Sequence, residues 1–315
     1  MAQISIGGAL GSGFGVIRRR PLLVLLWGFI PMLLAAAGLA VMAPTYLAIF
    51  GAAAQQAQSG AAGTPPDMSA LMPQMMMTSG LSWLINLGQL LVSAIINCAV
   101  WRAVLHPEKR GFAYLQLGAP ELLFMVLTVA AIFALIILLF LVMIPVAILV
   151  GVTAGVSGAN HGGAAAVALM IPIVMLVVAV LLVLIGLRFV FIGPMMVDDG
   201  KFHFGESWTL TKGHVGALFV IVLGLIGIAL VLELLIGAIM VGLGAAGFMG
   251  VIGGANGLPA FLRLTPMEML TRLAPLIGTY FVLLIPLNGC FLAIFGAPWA
   301  RAYRDLKPDD AAAFA

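Results

Sequence analysis

Five side chains able to do acid, base or ligand chemistry crowd one short connection: Asp198, Asp199, His203, Glu206 and His214. His203 and Glu206 stand three residues apart, a spacing that puts two ligands on one helix face. The adjacent carboxylates Asp198 and Asp199 suit a hard cation. A plainer reading competes. So apolar a chain has to put its polar residues in its connections, and Glu206 falls in the first turn of a short helix, where an acid suits the helix dipole. Glu233 raises a different chemistry. It sits in Leu232-Glu233-Leu234-Leu235, inside a long apolar run. An ionised acid at the centre of a bilayer costs several kcal/mol, so the position calls for a hydrogen-bonding neighbour or water. Asn86, Gln89, Asn97 and Asn288 are the neutral polar side chains available to it. Its functional reading is proton coupling or the polar spot of a ligand cavity. Its structural reading is a carboxyl bonded to a neighbouring helix.

Other groups offer less. Met68, Met72, Met75, Met76 and Met77 could present thioethers to Cu(I). No Cys or His stands among them, and a Met-rich surface also packs without metal. Arg263, Glu268 and Arg272 lie in an amphipathic stretch, 258–274, which reads equally as a segment resting on the outer leaflet with its arginines at lipid phosphates or as a charged cap on the last hairpin. Cys98 and Cys290 sit in apolar runs with no CxxC, so neither a disulfide framework nor a zinc site is signalled. No phosphate-binding P-loop, HExxH or GxSxG motif occurs. The sequence therefore predicts no catalytic group, no cofactor and no metal.

The elements that must hold these residues follow from composition. The 315 residues are 63% hydrophobic and 8% charged, with a mean hydropathy of +1.23. A water-soluble domain needs roughly 25% charged residues, so an ordinary cytosolic enzyme, a disordered chain and a disulfide-stapled module are excluded. Six stretches are long enough to cross a bilayer as helices: about 22–43, 81–105, 121–152, 164–187, 215–247 and 273–299. The first is too long for a signal-peptide core and reads as a retained helix. The run from Val215 to Gly257 could instead fold as two short helices. Glycines at 242, 244, 247, 250, 253, 254 and 257 are expected to end a single helix and turn the chain.

Charge placement orients the helices. Twelve of the 14 Lys and Arg lie in residues 1–20, 102–120, 188–214 and the C-terminal segment; only Arg263 and Arg272 lie elsewhere. The positive-inside rule then predicts both termini in the cytoplasm. Lysines and arginines spread between apolar runs argue against nucleic acid as a partner. Three segments recur before the odd-numbered spans: Ile4–Leu10, Phe112–Gly118 and Phe202–Trp208. They divide the single membrane domain into pseudo-repeats of about 1–106, 107–200 and 201–307, followed by a disordered tail at 308–315. The expected fold is an all-α polytopic membrane protein, six transmembrane helices in three hairpins, each hairpin preceded by a cytoplasmic interfacial helix.

The run Phe204-Gly205-Glu206-Ser207-Trp208-Thr209-Leu210-Thr211-Lys212-Gly213, preceded by Arg188-Phe189 and Pro194, resembles the membrane-domain group of glycerophosphoryl diester phosphodiesterases and its bacterial relatives. The resemblance implies a multi-pass protein of the bacterial inner membrane that carries the membrane part without a catalytic domain. The function expected is non-enzymatic: binding of membrane lipids, or of a membrane-protein partner or second copy, in envelope maintenance. The alternative is a transporter or channel for a small or amphipathic solute, working through Glu233.

Overall fold

The computed structural model describes residues 3–58, 72–108, 111–156, 162–252, 257, 261 and 264–307, and these are helical with no strand among them. The expected tail at 308–315 lies outside the described residues, as do Arg263 and Met68. In order come α1 (Ile6–Arg19), α2 (Pro21–Gln58), α3 (Met72–Leu105), a 3-10 turn (Phe112–Tyr114), α4 (Ala119–Val156) and α5 (Gly162–Phe189). Then follow α6 (Ile192–Asp199), α7 (Phe204–Leu210), α8 (Val215–Ile252) and α9 (Pro266–Leu306). Six segments are long and apolar enough to cross a membrane. The chain is a multi-pass membrane protein in architecture.

The helices outrun the expected spans. α8 is one helix of 38 residues, about 57 Å at 1.5 Å per residue, against a bilayer core of about 30 Å. The expected single helix is therefore what forms, and the alternative of two short helices is not. Nor do Gly242, Gly244, Gly247 and Gly250 end it. Tertiary packing accounts for two of them: a Cβ on Gly244 or Gly247 would collide with Tyr280 or Leu276 of α9. The Tyr280 hydroxyl also donates to the Met240 carbonyl at 2.6 Å.

α9 is the hub, packing on α1, α2, α3, α6 and α8. Its closest approach is to α2. There Gly28 faces the backbone at Ile285 and Gly289, and Gly289 faces the Val24 carbonyl, with no room for a Cβ on either side. Small residues at such a crossing let two backbones touch in a membrane. Burial concentrates at one end of the bundle, where α2 and α8 begin and α3, α5 and α9 end. Trp27, Ala99, Val100, Phe191, Met196, Leu218, Ile221 and Ala297 are buried there. That end also carries most of the ion pairs, and it is called the charged end below. Away from it the helices part company. The most apolar stretch of α4 buries nothing inside the protein, and that of α5 almost nothing.

The three recurring segments do not adopt one structure. The first is part of α1, a 14-residue helix that Ser5 caps by accepting from Gly8 N. Its Ala9 and Gly13 are buried, with Gly13 against Ala293 and Ile294 of α9. The third is α7, seven residues long. The second is not a helix beyond its single 3-10 turn. Ala113 and Tyr114 take positive φ values of 53° and 59°, and Leu115 onward runs as an extended strap. Pattern similarity there fails because hydrogen bonds from Trp27 and Arg102 to its carbonyls hold the backbone out of a helix.

Candidate functional site

The 111–118 strap is bolted at both ends. Trp27 Nε1 donates to the Ala113 carbonyl at 3.2 Å, and Arg102 Nη1 donates to that of Tyr114 at 3.3 Å. Tyr114 is buried. Its hydroxyl donates to the Pro107 carbonyl at 2.9 Å and accepts from Arg20, whose guanidinium also lies 5.1 Å over the ring. At the other end Gly118 N donates to Glu121 Oε2 at 2.9 Å, while Glu121 Oε1 pairs with Arg102. Glu121 is fully buried in the first turn of α4. A buried acid of this kind is held by its partners, since removing one leaves a charge with nothing to face.

Between its bolts the strap divides two recesses. On one side lies a polar cleft of about 270 Å³, lined by Arg102, His106, Gln116, Glu121, Val197 and Asp198. On the other lies an apolar groove of about 270 Å³ against Ile30 of α2 and Val92, Ile95 and Ile96 of α3. Gln116 and Leu117 line both. A third recess of about 330 Å³ opens between α3 and α9 at Asn97, Trp101, Asn288, Phe295 and Trp299.

Asp198 belongs to the polar cleft. It accepts from Tyr303 at 3.1 Å and from Lys307 at 2.6 Å, and lies 3.2 Å from His106 Nε2. One carboxylate thus ties the end of α6 to α9 and to the end of α3. Asp199, one residue on, does something else. It accepts from Lys201 N at 3.0 Å and pairs with His203, which meets Glu206 at 2.9 Å through its other ring nitrogen. The expected five-residue cluster is therefore divided: Asp198 stands apart from the Asp199–His203–Glu206 group, and His214 Nδ1 lies 3.3 Å from the Lys212 carbonyl. Both ring nitrogens of His203 face carboxylates, so both serve as N–H donors and no lone pair is left for a cation. Desolvation alone would lower the pKa of His203, but hydrogen bonds and charge from Asp199 and Glu206 outweigh it, so the pKa is raised. Among the described residues no group of three or more ligating side chains is arranged to hold a metal.

No family model, curated protein or solved structure matches this chain.

Beside the His203 group stands an aromatic shelf. Phe189 packs on Phe204 at 4.4 Å and on Trp208 at 5.5 Å, and the Arg188 guanidinium lies 5.0 Å over the Trp208 ring. Ser207 Oγ donates to the Arg188 carbonyl at 2.9 Å and fastens α7 to the end of α5. Phe202, Phe204 and Trp208 remain about half exposed. Glu233 lies on an exposed part of α8, lines none of the three recesses, and has no hydrogen bond or ion pair among the described residues. Asn97 turns to its own helix and donates to Ser93 O at 2.8 Å. Arg272 is exposed on α9, next to the Thr265–Glu268 capping box that starts this helix.

The residues that sequence reasoning missed are Arg102, His106, Glu121 and Lys307. A signal was present for one of them: Glu121 is an acid at the mouth of an otherwise apolar run. Its partner Arg102 lies 19 positions upstream across a connection, and nothing local links the two.

Proposed function

We propose that this chain is a non-enzymatic membrane protein that binds lipid at the cytoplasmic headgroup level of a bacterial inner membrane, with both termini inside. The observation that carries this reading is the shared wall of the cleft and the groove: Gln116 and Leu117 face a polar recess on one side and an apolar one on the other. A lipid has the same division. Its headgroup would take the cleft, where Arg102 and His106 offer donors and Asp198 offers a carboxylate. An acyl chain would take the groove beside Ile30, Val92 and Ile96. Recesses that are mainly apolar with a few convergent polar groups are the usual form of small-molecule sites.

The charged end supports the same depth. Arg18, Arg19, Arg102, Arg188, Arg301 and Lys307 lie at or beside it, as the positive-inside rule requires of a cytoplasmic face. The shelf of Phe202, Phe204 and Trp208, which includes residues of the motif noted in the sequence, suits the headgroup boundary, where aromatic rings bridge oil and water. The three hairpins and their interfacial elements are part of this proposal.

Native mass spectrometry of the gently extracted chain tests it. The expected result is one retained phospholipid, lost in Leu117→Trp, which fills the shared wall, and in Ile95→Trp, which fills the groove. A wild-type chain released free of lipid, or tryptophan variants that retain it unchanged, would overturn the reading.

A further inference from the structure

On α8 the residues Leu223, Ile226, Leu230, Glu233 and Gly237 follow one another at spacings of three, four, three and four, the repeat of a coiled-coil seam. The seam is open. Leu223, Ile226 and Leu230 are each about half exposed, Glu233 is exposed, and a Cβ added at Gly237 would touch nothing within 4 Å. Its one polar member is the carboxyl with no partner among the described residues, at a depth where lipid tails offer none. In an otherwise apolar seam, a single polar position fixes register and partner number by pairing with its own counterpart. A carboxylic acid suits this pairing, since it has one donor and one acceptor and two such groups satisfy each other. Gly237, one turn away, removes the side chain that would otherwise hold two helices apart.

We infer that two copies of this chain associate in the membrane along α8, about a twofold axis parallel to the bilayer normal, with their Glu233 carboxyls hydrogen-bonded to each other. The axis puts two α8 helices side by side in the same direction, so that each seam residue meets its own copy, as an isologous interface requires. The occupant is a second copy because the polar group is self-complementary, lies at the middle of α8 and belongs to a seam of the coiled-coil spacing.

Single-molecule photobleaching of the full chain in liposomes of phosphatidylethanolamine and phosphatidylglycerol tests the inference. Wild type should bleach in two steps. Glu233→Leu should weaken association about tenfold, equivalent to one or two interhelical hydrogen bonds, and Glu233→Gln, which still donates and accepts, should preserve it. In a Cys98→Ala, Cys290→Ala background, Leu230→Cys should cross-link to itself under mild oxidation, while Ile136→Cys on exposed α4 should not. Single-step bleaching of wild type, association of Glu233→Leu as tight as wild type, absence of the Leu230→Cys cross-link, or a different protein found against α8 would each overturn it. Lipid retention by the Glu233→Leu variant separates this outcome from the fate of the lipid site.

Discussion

The Arg102–Glu121 pair is the most consequential contact at the residue scale, because Glu121 is fully enclosed and also receives Gly118 N. Glu121→Ala strands the guanidinium and should destabilise the chain by about 3 kcal/mol. Thermal unfolding in detergent reads this as a lowered Tm, and a joint Arg102→Met, Glu121→Met variant should recover much of the loss. His203 makes a weaker and pH-dependent contribution. Its pKa is raised in the folded chain. Its stabilisation is therefore complete below the unfolded value of about 6.5 and is lost as pH rises through the higher folded value. Hydrogen exchange over 199–210 should accelerate across that window in wild type, and His203→Asn should remove the dependence. Neither residue's role is legible in the sequence. Arg102 enters only the charge count that orients the helices and Glu121 goes unread, while the cluster at 198–206 reads as one site because spacing along the chain cannot tell inward Asp198 from outward Asp199.

Among the elements, the α2–α9 crossing and the strap carry the site. Gly28→Val or Gly289→Val drives a side chain into opposing backbone rather than into a movable side chain. Overpacking of this sort costs about 1–3 kcal/mol, so folded yield and Tm should both fall. Gly278→Ala on α9, which meets nothing within 4 Å, should be neutral or stabilising by up to about 1 kcal/mol. In the strap, Ala113 has a left-handed backbone that glycine adopts without strain. Ala113→Gly should raise stability by about 0.5 kcal/mol in the same assay, once the looser unfolded chain is allowed for. All six spans were legible, since twenty apolar residues in a row have few alternatives. The strap was not. Its amphipathic pattern matches the other two segments, while the bonds from Trp27 and Arg102 that decide its shape come from distant parts of the chain.

At the scale of the whole molecule the packing is lopsided. Buried residues gather at the charged end, and the apolar stretches of α4 and α5 lean on almost nothing within the protein. Their stability is borrowed from lipid. Replacing bilayer with a short-chain detergent should speed amide exchange first in 125–148 and 171–185, and last in 96–105 and 290–303; uniform loss across the chain would contradict the description. The lopsidedness also bears on how the protein is made. α9 packs on five other helices and is synthesised after all of them, while α1, which docks on it through Gly13 and meets it again where Ser5 N donates to Asp305 at 3.3 Å, is synthesised before them. The charged end therefore cannot close around its core until α9 has been made. Until then Gly13 of α1 and Gly28 of α2 lack the backbone they pack against.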